Sequence, residues 1–507
     1  MQKVIKKLTD KNLYFSLLIT LVFFAIFIKI EYATDSYSLF SDTVISRINH
    51  FMLSGRFITA LWWALVNAFH FSDYLIYLSS FILALLCITL SIYNLFLVIN
   101  KKVKNKFICL VVSTITIINP FTIELFLFLE KGILTLAVLL SVLAFAKFVK
   151  YLEGDKKSLK YVFLFMFIAT FSYQGVIGLF IALSTVYIVG YSTNVKEFIK
   201  CNIIALLGYG IPAIINLLII RLFFSNNRVS GAINFTESIQ KISEGSEKMF
   251  QLYNILPKYT FQIAVVVLIV LTIALLFINY KEKLSKKILK LLGVIYVIII
   301  TLGLTIVPQL MQNTESIWFV PRSTYPFGAI VGIICIFVLV NIISTDKLNN
   351  VKKSSLNNTN KIIYNLAYIV LGIISITLLI LELYIFNKIE IDLYILNYLD
   401  KTNCLSIGEE IQKYERETGN KVTKICIYKD KEISFTYKGL WVSQDINISG
   451  FYADWAITDM INYYNNLDLT NGKVDEEIKQ NFSEQDWDKY NTEQIIFIND
   501  TLHYCRF

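Results

Sequence analysis

The sequence predicts a polytopic all-α membrane protein of about 11 transmembrane helices with a small α/β or α+β domain at its C-terminus. Three observations predict it. Apolar runs of about 18 residues or more recur through residues 1–387, each long enough to cross roughly 30 Å of hydrocarbon. Hydrophobic residues make up 56% of the chain, and mean hydropathy is +0.59, far above that of a soluble domain. The charge divides along the chain: residues 1–387 hold 34 Lys and Arg against 17 Asp and Glu, whereas residues 388–507 hold 13 against 21. The net charge of +9 is therefore a set of basic loops on a membrane domain, not a nucleic-acid surface.

In chain order, spans are expected at 12–30, 74–99, 107–119, 131–149, 160–173, 176–192, 201–224, 261–279, 288–309, 327–344 and 362–386. The basic start (Lys3, Lys6, Lys7, Lys11) runs into an apolar segment with no small-residue cleavage site, so it reads as a retained first helix. Every second loop is lysine-rich. Together with the N-terminus, the loops at 101–106, 147–160, 194–200, 280–290 and 346–361 hold 24 lysines against six acids. That alternation places the N-terminus in the cytoplasm and the C-terminal domain outside it, in a multi-pass protein of the cell membrane. It also requires FITALWWALVNAFH, residues 57–70, not to cross. Its 14 residues and tryptophan pair suit a helix lying in the interface, within an outer loop that spans 31–73.

Beyond 387, EEIQKYERETG has a helical pattern, while KVTKICIYKD, EISFTYKG and QIIFIND read as strands. Aromatics in GLWVSQ and GFYADWAITDM (439–460) are expected in that domain's core, with guidance of an acceptor glycan toward the membrane site as the alternative. Seven cysteines form no metal pattern, and at most one pair can form among Cys404, Cys426 and Cys505 of the tail. Three histidines in the whole chain argue against a His-rich metal site.

On this topology the membrane domain's arginines (Arg47, Arg56, Arg221, Arg228, Arg322) all fall on the outer side, and the inner loops use lysine alone. Guanidinium groups grip phosphate in a bidentate fork and tolerate a partly dry site. The same side collects acids and aromatics: Glu31, Asp35 and Asp42 in the first loop, Glu124 and Glu130 in NPFTIELFLFLEKG, Tyr173 and Gln174 in FSYQG, and Tyr325 in FVPRSTYPFG. Ionisable groups near helix ends in a membrane are functional candidates. Asp35, a few residues beyond the first span, is the leading one.

An acid just past the first span, SGR at 54–56, SYQ at 172–174 and PRSTYPFG at 321–328 resemble the membrane glucosyltransferases of the Gtr type II family, within the GT-C superfamily. The resemblance runs over about residues 30–390. Members often carry adjacent acids in the first loop, whereas here Asp35 is followed by Ser36, with Asp42 further on. The resemblance implies a sugar donor, glucose on a polyprenyl phosphate, and a cell-surface polysaccharide or glycolipid acceptor. Asp35 is then the expected catalytic base. Arg322, Arg56 and Arg47 are expected on the donor phosphate. Asp42, Glu124, Glu130, Tyr173, Gln174 and Tyr325 are expected to bind substrate. The scheme needs no metal or other cofactor, although a divalent cation between Asp35 and Glu130 is compatible with it. Three rivals stand beside it: a lipid-linked-sugar flippase or transporter, a polysaccharide polymerase of the same topology, and a receptor or scaffold acting through its outer domain. Transporters place charged sites near the bilayer midplane, in related halves. Here mid-depth charge is scarce and no halves are related.

Overall fold

A computed structural model describes residues 10–29, 32–103, 105–224, 234–251, 259–278, 284–310, 313–314, 317, 320–343, 358–432, 437 and 448–506. The apolar runs wind into helices because only a helix satisfies its own backbone where no water can. In order these are α1 (Lys11–Phe24), α2 (Thr34–Ser41), α3 (Val44–Leu53), α4 (Phe57–Ala68), α5 (Asp73–Lys102), α6 (Lys106–Ile117) and α7 (Thr122–Leu127). Next come α8 (Lys131–Leu152), α9 (Leu159–Ser172), α10 (Gly178–Tyr191), α11 (Val195–Phe223), α12 (Phe235–Gln251), α13 (Thr260–Ile278) and α14 (Leu284–Leu310). A 3-10 turn at Pro321–Thr324 then leads into α15 (Tyr325–Gly328) and α16 (Ile330–Phe337).

Each of the eleven expected spans falls on a helix. Among the described residues, eight helical segments are long and apolar enough to cross a membrane, and three more are apolar but shorter: Phe57–Ala68, Lys106–Ile117 and Gln262–Leu276. That is the build of a membrane protein. Pro321–Ile343 forms its centre, with 94% of its most apolar stretch buried. The opposite extreme is the rim. Leu222 and Phe223 on α11, Val270 on α13, and Leu289 and Ile299 on α14 are all more than half exposed, as side chains facing lipid tails must be. Segment 57–70 becomes α4, a helix of 12 residues about 18 Å long. Trp63 anchors it, fully buried against Phe51 of α3.

The last long helix, α17 (Asn358–Thr418), has 61 residues and runs on unbroken past 387. A bilayer occupies about 20 of them, so the remainder stands clear of the apolar stretch. It stops where Gly419 adopts φ +74°, the left-handed turn that favours glycine. Four strands follow: β1 (Lys424–Lys429), β2 (Thr470–Asn471), β3 (Ile495–Ile498) and β4 (Thr501–Arg506). Their order in the sheet is β2-β1-β4-β3. β1 is parallel to both neighbours, and β3 pairs antiparallel with β4 across a tight turn at Asn499 and Asp500. Helices cover both faces. Cys404, Ile407 and Ile411 of α17 and Ile457, Met460 and Ile461 of α18 (Asp454–Asn465) bury one face. Ile478 and Phe482 of α19 (Glu476–Ser483) pack against Cys426, Tyr428 and Cys505 on the other. The two strands expected in KVTKICIYKD and QIIFIND form, while EISFTYKG lies almost wholly outside the described residues, as do Trp441, Glu31 and Arg228. All seven cysteines are free and buried.

Candidate active site

Three short motifs, far apart in sequence, lock together at the end of the bundle that faces the sheet. In SGR, Gly55 has φ +72°, and a Cβ there would lie 2.5 Å from both Asn216 Oδ1 and Ile220 Cδ1. Only glycine fits that backbone and that gap. The close approach lets Asn216 Nδ2 and Gln174 Nε2 donate to the Gly55 carbonyl at 2.8 and 3.1 Å. SYQ is thus tied to SGR. It is pressed equally tightly on the third motif, because a Cβ on Gly175 would lie 2.6 Å from the Arg322 carbonyl oxygen.

These ties fix two arginines, and each carries its own buried glutamate. Arg56 opens α4, with Nη1 3.8 Å from Glu130 Oε1 and its guanidinium 4.8 Å above the Tyr173 ring. Arg322 places its guanidinium 4.3 Å above the Phe128 ring and on the carboxylate of Glu124, to which its backbone N–H also donates at 2.5 Å. Glu124 is fully buried. The turn before it explains its position: Asn119 Oδ1 accepts from the Phe121 N–H at 3.0 Å, and Thr122 Oγ1 accepts from the Asn119 N–H and donates to the Ile117 carbonyl. That local closure starts α7 and aims Glu124 at Arg322. Burial pushes the Glu130 carboxyl above the usual carboxylate range, and the Arg56 guanidinium pulls the other way. Its Oε2 has no hydrogen-bond partner among the described residues.

Two cavities open around this pair. One, of about 510 Å³, is lined by Asp35, Asp42, His50, Arg56, Glu130, Arg322 and Trp455 among others. The second, of about 400 Å³, is mostly apolar, with Tyr173, Ile177, Tyr209, Ala213, Leu217, Ile220 and Val307 in its walls. Arg56, Leu53 and Ser54 line both. A charged head between a polar chamber and an apolar groove suits an amphipathic anionic ligand.

The expected site residues divide accordingly. Asp35, Asp42, Glu130, Arg56 and Arg322 line the first cavity; Tyr173 and Gln174 line the second. Glu124, Arg47 and Tyr325 line neither. Glu124 stands behind Arg322 as its counter-ion. Arg47 donates through Nε to the Asp42 carbonyl at 3.0 Å and lies over the Trp63 ring, which makes it a brace for the first loop. Tyr325 turns inward, fully buried, and donates to the Ile117 carbonyl at 2.5 Å.

One contributor escaped the sequence reading. Asn216 is a buried amide inside an apolar run, a signal visible in the sequence but not used. Trp455, in a segment expected either in a core or as a guide for an acceptor glycan, is 59% exposed, and its Nε1–H donates to Asp35 Oδ1 at 3.3 Å. Among the described residues no three His, Cys, Asp or Glu side chains are grouped to hold a metal ion.

No curated protein matches the chain. The family described as Glucosyl transferase GtrII does, over residues 24–333, a stretch that contains Asp35, all three interlocked motifs and both arginine–glutamate pairs. The chain therefore belongs to the GtrII glucosyltransferase family.

Proposed function

We propose that this enzyme moves glucose from a polyprenyl-phosphate donor to a cell-surface polysaccharide or glycolipid, on the outer face of a cell membrane that it crosses about 11 times. In this reading the N-terminus is cytoplasmic, the C-terminal sheet is extracytoplasmic, and the membrane domain is of the GT-C type. One observation carries the proposal: Arg56 stands where the polar chamber meets the apolar groove, with Arg322 in the chamber wall beside it. The groove takes the first isoprenoid units. The phosphate rests on the two guanidinium groups, and the glucose projects into the chamber toward Asp35.

The chemistry is a single displacement. Asp35 takes the proton of an acceptor hydroxyl as its oxygen attacks the anomeric carbon. The bond from that carbon to the phosphate oxygen breaks, and the electron pair leaves as polyprenyl phosphate. Negative charge grows on the departing phosphate, where fixed guanidinium groups stabilise it most. Attack and departure on opposite faces invert the anomeric centre. Asp42 and Glu130 offer acceptors for sugar hydroxyls, Tyr173 holds the mouth of the groove, and no step is routed through a metal or other cofactor.

Membranes containing the wild-type chain, supplied with polyprenyl-phospho-[14C]glucose, are expected to pass label into envelope glycan, and membranes containing Asp35→Asn are not. Intact donor with no label transferred by the wild type would overturn the proposal in favour of another sugar, a polymerase or a flippase.

A further inference from the structure

Trp455 belongs to the C-terminal sheet domain, yet it forms part of the wall of the chamber that holds Asp35, Arg56 and Arg322. A large indole normally hides in a core or an interface, because leaving it in water forfeits its burial. Trp455 is 59% exposed, whereas Tyr37 and Phe451 are covered. It does not drift, because its helix is docked by an aromatic seam. Tyr37 of α2 is 2% exposed and shares a 2.9 Å hydroxyl contact with Tyr464, and the Phe40 ring stacks on that of Tyr463 at 5.6 Å. Ser38 Oγ reaches the Trp455 carbonyl at 3.4 Å. The seam thus fixes an uncovered indole beside Asp35, with its N–H already directed to that carboxylate.

We infer that Trp455 is the acceptor platform: the indole face receives a sugar ring of the acceptor glycan, and its N–H steers the Asp35 carboxylate toward the hydroxyl to be glucosylated. The inference rests on the chamber being a glucosyl-transfer site and adds which substrate the C-terminal domain serves. A sugar presents C–H groups on one face and hydroxyls at its edge, so it stacks on an aromatic while keeping its polar contacts. The chamber already has its donor-side charges on the membrane domain. Of the residues that line the chamber, Trp455 is the one that the C-terminal domain supplies.

The test uses full-length protein in nanodiscs and, as probe, the lipid-free polysaccharide released by mild acid from the envelope of the producing cells. Trp455→Ala is expected to raise KM for that polysaccharide about tenfold and to leave the donor KM within about twofold. Trp455→Phe keeps a ring without the N–H; it should restore the acceptor KM while its kcat stays below wild type. An unchanged acceptor KM in Trp455→Ala, or an equal rise in both KM values, would overturn the inference. A second readout needs no turnover. Equilibrium binding of the tritiated polysaccharide should weaken about tenfold in Trp455→Ala, and equal binding by the two proteins would also overturn it. Binding that depends on Trp455 without any glucose transfer by the wild type would count against the transferase reading and leave the platform standing.

Discussion

Glu124 receives Arg322 twice, once from the guanidinium and once from the backbone N–H, while being fully buried itself. A doubly held partner fixes both the position and the direction of the arginine, which a surface ion pair does not do. Removing one partner of a buried pair leaves the other uncompensated. Glu124→Ala is therefore expected to destabilise the membrane domain by about 3–5 kcal/mol, seen as a lower thermal transition of detergent-solubilised protein. Glu124→Gln keeps the shape and should lose less stability, but glucose transfer should still fall on the order of 100-fold, because Arg322 is no longer aimed. Normal transfer by Glu124→Gln would show that Arg322 needs no such anchor.

Asp35 is exposed and carries little of the fold, so Asp35→Asn should insert and melt like wild type while transfer drops by a factor on the order of 100 to 10,000. Initial rates on isolated membranes decide this. A variant with full activity would shift the base to Glu130 or Asp42, the other chamber carboxylates.

Arg56 faces both cavities and should act mainly on the donor. Arg56→Lys keeps the charge but loses the planar fork, so transfer should fall about tenfold or more, chiefly in kcat. Arg47→Lys, at a position lining neither cavity, should stay within about twofold of wild type in a rate assay run side by side.

A methyl group on Gly55 would press on the ends of the Asn216 and Ile220 side chains, and the φ there is one that L residues rarely adopt. Gly55→Ala should displace the SGR turn and Arg56 with it, costing transfer about 100-fold through misplacement alone. Asn216→Ala removes one of the two amides on the Gly55 carbonyl and should cost about 1–3 kcal/mol of stability in a thermal melt, with a smaller loss of rate.

The sheet has a pH dependence of its own. The Asp475 N–H donates to the Tyr428 hydroxyl at 2.9 Å, and that hydroxyl lies 2.7 Å from Nδ1 of His503. Burial lowers the His503 pKa from its ordinary value near 6.5, against a weaker pull from Asp475. The unfolded chain then binds more protons just below pH 6.5, so stability present above that pH is lost as the pH falls through it. Thermal melts at pH 7.5 and 5.5 should differ more for wild type than for His503→Gln, and equal differences would remove His503 as the cause.

The helices were legible because lipid demands long apolar runs, and the motifs were legible because they stand at the ends of those runs. Side-chain direction was not. Gln174 can donate to a sugar or to a backbone carbonyl, and nothing in SYQ says that Gly55 is its partner. Tyr325 sits three residues from a candidate-site arginine in PRSTYPFG, but α15 turns it to the opposite side, into the core. Arg47 and Arg56 look alike in one loop, and only the packing of α3 on α4 separates brace from ligand group. Trp455 follows a helix N-terminus in an otherwise core-like segment, so composition pointed inward. The continuity of α17 was readable: no Gly or Pro interrupts residues 373–407.

That uninterrupted helix is a ruler as well as an anchor. Asn397 accepts from the Tyr32 N–H at 2.9 Å, and Asp400 accepts from Ser449 and Gly450, so the first loop and the sheet are pinned to marks on the same rod. Each residue added below those marks would raise them about 1.5 Å and swing them about 100°. Lengthening the rod below the marks is therefore tolerable only in near-whole turns, and then only as far as Trp455 can still reach Asp35.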